Sequence, residues 1–138
     1  MEKYIELDHT ADVGIRVIGN SLEELFEAAS FALFDLQVDL SNVKDETEFE
    51  INATGTDLEN TIVRWLQRLI ALMDIEDIIF SRFELLEVTE LSARGKAWGE
   101  PLDISRHRVK GAIKAVTYHE LEIEETSDGW EAQIIFDV

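Results

Sequence analysis

Apolar residues recur at three- and four-residue spacing from Leu58 to Met73: Leu58, Ile62, Val63, Trp65, Leu66, Leu69, Ile70 and Met73. This stripe restricts the fold more than any other feature, because so wide an apolar face is expected of a helix laid across a sheet. Gly55-Thr56-Asp57-Leu58-Glu59 ends the preceding strand and starts this helix, with Thr56 and Glu59 as the partners of a capping box. Ser21-Leu22-Glu23-Glu24 has the same Ser-x-x-Glu form and predicts another helix, running to about Gln37. Leu22, Leu25, Phe26, Ala29, Leu33 and Leu36 make its apolar stripe, widened by Phe31 and Phe34. Such a stripe is core packing rather than a cofactor surface.

The segments between and after the helices alternate with the period of strands. Lys3 to Leu7, Ile15 to Gly19, Glu48 to Ala53, Ile78 to Glu87 and Ser92 to Trp98 read this way. Asp39 to Asp45 is a polar loop, by the usual reading a solvated connection. Gly99-Glu100-Pro101 is expected to break the strand before it. A charged connection follows to Lys110, and Arg106, His107 and Arg108 there form a small basic patch. The final third reads as a long hairpin about Ser127-Asp128-Gly129. Ile113, Ala115, Leu121 and Ile123 share the core parity, which His119 also has, so a packed histidine is expected there. Lys114, Glu120, Glu122 and Glu124 take the other parity. Pairing about the turn places Asp137 near Tyr118, with Lys114 further along the same polar face.

With 138 residues, 46% of them hydrophobic and only Pro101 as proline, the chain is expected to be one packed domain spanning 1–138. It has no cysteine, which excludes disulfides and thiolate metal sites. No leader-like or membrane-spanning run is evident in the sequence, so a soluble, cytoplasmic protein is expected. Thirty acidic residues against twelve basic ones give a net charge of −18. That field repels phosphate backbones and argues against strong nucleic-acid binding, while it favours a basic partner or bound cations.

The stretch Asp8-His9-Thr10-Ala11-Asp12-Val13-Gly14 interrupts two strand signals with two carboxylates, an imidazole and a hydroxyl. It is either a polar turn capping its own backbone or a place where ligands converge. There is no phosphate-binding glycine loop and no HExxH, and His9, His107 and His119 are widely separated. Asp12 near one strand end and Asp137 near another, supplemented by the main-chain carboxylate of Val138, offer oxygen ligands to a hard cation. Ca²⁺ or Mg²⁺ suits such a set better than zinc. His9 is placed to orient Asp12. On these residues alone a small metal-dependent phosphohydrolase or nucleotidyl-transfer enzyme and a chaperone-like module both stay open.

Asp8 to Gly14 resembles the HTAD(V/I)G signature of the archease family. Gly99-Glu100-x-x-Asp103-x-x-Arg106-His107, followed by Ile113-Lys114-Ala115-Val116-Thr117-Tyr118-His119, is similar to that family's most recognisable block. Asn60 to Leu72 and the Phe136-Asp137-Val138 ending match as well. The resemblance implies an α+β fold, a two-layer sandwich with two main helices packed on a mixed sheet. It also implies a non-catalytic activator of the RtcB-type tRNA-splicing RNA ligase, which promotes guanylylation of the ligase, supports its multiple turnover and broadens its nucleotide use. Carried over by position, the family's metal ligands fall on Asp12, Asp137 and the main chain of Val138. Calcium is the usual ion, with Mg²⁺ or Mn²⁺ as alternatives. The activating lysine falls on Lys114, so Asp12, Lys114 and Asp137 are the residues expected to serve the partner.

Overall fold

The structure is a computed structural model, and it describes residues 4–7 and 12–138. Eight strands and two helices follow in the order β1 (Tyr4–Leu7), β2 (Asp12–Gly19), α1 (Leu22–Asp35), β3 (Thr47–Thr54), α2 (Leu58–Glu76), β4 (Ile78–Val88), β5 (Ser92–Pro101), β6 (Ala115–Val116), β7 (Glu122–Thr126) and β8 (Gly129–Asp137). The α+β arrangement of two helices on sheet is the one expected. Every ladder among the described residues is antiparallel, and the strands divide between two sheets. One has the order β1-β2-β8-β6 with β7 also paired to β8, and the other β3-β5-β4.

The helices start where side chains take up their first free N–H groups. Ser21 Oγ accepts from the Glu24 N–H at 3.1 Å. For α2 the cap lies one residue later than the spacing implied. Asp57, not Thr56, is the cap and accepts from the Asn60 N–H at 2.7 Å, while the Asn60 side chain accepts from the Thr56 N–H at 3.0 Å. An Asp-x-x-Asn pair does the work assigned to Thr56 and Glu59, because aspartate accepts as well as threonine and sits where α2 begins. At its other end α2 stops on Asp77, held left-handed at φ 55°.

The expected apolar stripes are the core. Leu25, Phe26, Leu33 and Phe34 of α1 and Ile62, Trp65, Leu66 and Leu69 of α2 are fully buried, with Ile15, Val17, Ile134 and Phe136 beneath them. Trp65 donates its indole N–H to Ser30 Oγ at 2.8 Å, and Ser30 Oγ donates to the Phe26 carbonyl at 2.7 Å. The two helices are thereby joined by a satisfied polar link inside the core. Phe80 sits edge-on to Phe34 and to Phe49, each at 5.5 Å between ring centres.

The outer edge of β4 is closed by α1. Glu27 accepts from the Leu85 N–H at 2.8 Å and Glu23 from the Val88 N–H at 2.9 Å. The same strand carries two register shifts against β5, between Phe80 and Arg82 and between Leu85 and Glu87. β5 does not break at Gly99-Glu100-Pro101 but runs through it. A Cβ on Gly99 would lie 1.8 Å from the Ile79 carbonyl oxygen, so the glycine serves close strand approach rather than a turn.

Two expectations about the last third are corrected. The predicted strand from Ala112 to Glu124 is two short strands, β6 and β7, separated by a turn in which Glu120 adopts φ 52°. Extending the β7 register, Glu122 opposite Gln133, would place Tyr118 opposite Asp137, yet Ala115 stands there. The turn thus absorbs three residues (118 − 115) between the two ladders. Its left-handed bend is invisible to a period-two pattern, which assumes the strand continues. His119 falls in this turn and is exposed, not packed, with Nε2 3.5 Å from Glu120 Oε2.

Candidate functional site

The β2–β8 ladder begins with the pair Asp12 and Asp137. Residues from opposite ends of the chain are therefore direct cross-strand partners, with side chains on one face and Cβ atoms about 5 Å apart. Their neighbours explain the position. Val13, Ile15 and Val17 turn toward the helices with their partners Phe136, Ile134 and Ala132, so the alternate residues Asp12, Arg16, Gln133 and Asp137 take the opposite face. Asp12 is half-buried and Asp137 exposed. The neighbouring stretch 8–11, including His9, lies outside the described residues.

Lys114 enters at the start of β6. Its backbone N–H donates to the Asp137 carbonyl at 2.8 Å, and its side chain is exposed. The expectation that Lys114 shares a polar face with Asp137 is not met, since the residue across from Asp137 is Ala115. The three-residue displacement brings the lysine backbone beside that of the aspartate, with the two side chains on opposite faces. Val138 follows Asp137 directly and is 44% exposed.

β6 is tied to α2. Gln67 Oε1 accepts from the Val116 N–H at 2.7 Å, and Asn60 Nδ2 donates to the Tyr118 hydroxyl at 2.6 Å. Thr117 is fixed to β8, its N–H and its hydroxyl both donating to the Ile135 carbonyl at 3.0 Å. The edge carrying Lys114 and Tyr118 is thus held from both sides.

Two carboxylates directly opposite each other repel unless a cation lies between them. The donors are hard oxygens, and the pair with the main chain of Val138 fits Ca²⁺, Mg²⁺ or Mn²⁺ better than a thiophilic metal. Among the described residues no third carboxylate or imidazole joins the pair. Asp39 and Asp45 of the polar loop are engaged elsewhere. Asp39 accepts from Ser41, starting a short 3-10 turn at Leu40–Asn42, and Asp45 pairs with Arg82 at 2.7 Å.

Of the expected basic patch, His107 is buried, Arg108 is exposed, and Arg106, also exposed, is tied to a buried carboxylate. Glu100 is buried and accepts both Arg106 guanidinium nitrogens, at 3.0 and 2.6 Å, together with the Lys44 N–H at 2.9 Å. His107 is buried too. Its Nδ1 accepts from the Asp103 N–H at 2.9 Å, so Nε2 carries the proton and donates to Glu100 Oε2 at 2.9 Å. The Arg106 hydrogen bonds, opposed by burial and aided by His107, hold the Glu100 carboxyl well below the usual carboxylate range. Arg106 and His107 are both engaged by Glu100. This cluster clamps the connection after β5 to the loop before β3.

The model of the Archease protein family matches residues 4–138. The chain is 42% identical to Protein archease of Pyrococcus abyssi, over all of both chains. It is 40% identical to Protein archease of Methanosarcina acetivorans, over 99% of this chain and 97% of that one. The solution structure of Protein 1598 of Methanobacterium thermoautotrophicum superposes with a TM-score of 0.80 at 31% identity, covering all of both chains. The crystal structure of an archease from Thermotoga maritima, described as a possible chaperone, gives 0.62 at 27% identity, covering all of this chain and 98% of that one. This chain belongs to the archease family.

Proposed function

We propose that this protein is a non-catalytic activator of an RtcB-type tRNA-splicing RNA ligase, promoting guanylylation of the ligase and its repeated turnover. Family membership supports the reading. The observation that carries it in this chain is the cross-strand pairing of Asp12 with Asp137, with the Lys114 N–H on the Asp137 carbonyl. Asp12, Asp137 and the main chain of Val138 would hold a divalent cation, calcium first among Ca²⁺, Mg²⁺ and Mn²⁺. A bound divalent ion supplies charge that offsets phosphate. The chain's own part is to fix two carboxylates opposite each other at the end of a ladder and to anchor the Lys114 backbone on one of them. Acting on a protein fits the net charge of −18, which is adverse to direct RNA binding.

The test is ligase guanylylation and multiple-turnover RNA joining with wild type, Asp12→Ala, Lys114→Ala and Asp137→Ala, and with the protein alone. Stimulation by wild type, absent in the folded variants, is expected, with no turnover by the protein alone. Turnover without ligase would instead support the metal-dependent phosphohydrolase or nucleotidyl-transfer reading. Protection of unrelated clients from aggregation, insensitive to Asp12→Ala, would support the chaperone-like one, which the description of the Thermotoga relative brings forward.

A further inference from the structure

The exposed face of α2 carries an arrangement that the acidic composition makes unusual. Arg64 and Arg68 stand at i and i+4, where side chains meet on a helix surface. In a chain with thirty acidic residues, neither has an Asp or Glu three or four positions away; the residues there are Asn60, Thr61, Trp65, Gln67, Ala71 and Leu72 besides the two arginines. Of the other described cations, Arg16, Arg82, Lys96 and Arg106 each pair with a carboxylate, and Lys44, Arg94, Arg108 and Lys110, which do not, lie on strands and loops rather than side by side on a helix. Among the described residues no ion pair involves Arg64, Arg68 or Lys114.

These side chains lie along one edge. Asn60 and Gln67 bind Tyr118 and Val116, so Arg64, one turn from each, lies on the same stripe of α2, and Arg68 follows it. Lys114 stands two residues before Val116, about 7 Å along the strand. Tyr118 is 56% exposed even with its hydroxyl engaged by Asn60. Arginine and tyrosine on a fixed framework are the residue types that carry binding energy at protein interfaces.

We propose that Arg64, Arg68, Lys114 and Tyr118 form a docking surface for an acidic, carboxylate-bearing segment of the partner protein. The inference rests on the ligase-activator reading and extends its contact from the paired aspartates onto α2. Guanidinium forks take carboxylates in two-point contact and are weakly hydrated, so they suit a protein interface. A protein carboxylate cluster fits better than RNA. It acts over a Debye length of about 8 Å, whereas a polynucleotide would bring its remaining phosphates against an acidic surface.

The experiment compares Arg64→Glu/Arg68→Glu with Lys44→Glu/Arg94→Glu. The control pair changes net charge equally at exposed cations that form no ion pair, away from this edge. Binding to the purified ligase is measured by biolayer interferometry at low and physiological salt, and binding to exon RNA alone is measured alongside. The α2 reversal is expected to weaken ligase binding about tenfold or more and to flatten its salt dependence, while the control stays within about threefold. Equal losses in both pairs, or an α2 reversal that binds as wild type does, overturn the surface and leave the activator reading standing. Retention of RNA by wild type alone that the α2 reversal abolishes overturns it in favour of nucleic acid. If wild type neither binds nor stimulates the ligase, the activator reading fails and the surface falls with it.

Discussion

Replacing Asp137 by asparagine keeps its shape and removes one of two charges that face each other across β2 and β8. Carboxylates about 5 Å apart repel by about 0.8 kcal/mol in water, within the range of about 0.2–1 kcal/mol for like charges directly opposed on strands. For 138 residues, unfolding entropy of about 2.1 cal/mol/K per residue totals about 290 cal/mol/K. Relief of 0.8 kcal/mol therefore raises Tm by about 3 °C. Asp137→Asn is thus expected to melt about 3 °C above wild type in chelator. Saturating calcium reverses the order, because a ligand at a hundred times its Kd adds about 2.7 kcal/mol, about 9 °C for wild type. The variant, with one carboxylate left, gains only a fraction of that. Circular dichroism melts in EDTA and in calcium chloride read both arms. A variant that melts below wild type in EDTA, or that gains as much from calcium, would refute the reasoning that the pair is a strained, cation-seeking couple.

Glu100→Gln replaces a buried carboxylate that holds Arg106, His107 and the Lys44 N–H by a neutral amide, and should lower the midpoint of urea melts. The wild-type Glu100 carboxyl is depressed in the fold, so below the ordinary glutamate pKa the unfolded chain binds a proton that the native state refuses, and stability falls as pH drops toward the depressed value. Glu100→Gln should flatten that acid limb, and an unchanged limb would remove Glu100 as its source. Asp77→Gly relieves a non-glycine residue held at φ 55° after α2 and is expected to stabilise by about 0.5–1 kcal/mol, measured by the same melts; a loss would mean that the aspartate side chain stabilises that end.

Where the deciding forces are local, the residues announced the structure. The stripes of α1 and α2, the caps to within a residue and the Ser127-Asp128 turn all follow from spacing and hydrogen-bonding capacity over a few positions. The meeting of Asp12 with Asp137 was written in the sequence only as two strand ends, because register between strands at opposite chain ends is set by the packed face, here Ile15 on Ile134 and Val17 on Ala132. Glu100 and His107 looked like parts of a solvated connection because a charged pattern reads as loop. Their burial depends on a carboxylate finding Arg106, His107 and the Lys44 N–H together, the last 56 residues away. His119 carries strand parity, and only the bend at Glu120 puts it in water.

The two glutamates that α1 lends to the rim of β4 link how the chain folds to whether it stays monodisperse. An open rim of this kind recruits a second molecule wherever donor groups point outward. Here the carboxylates of Glu23 and Glu27 occupy the Val88 and Leu85 donors, and they arrive only when α1 has coiled and docked. The hazard of self-association is therefore concentrated in the interval before docking, when β4 can be formed and still unguarded. Changes that slow the docking of α1 would show first as lost yield on refolding at high concentration, with the melting temperature of the finished protein scarcely moved.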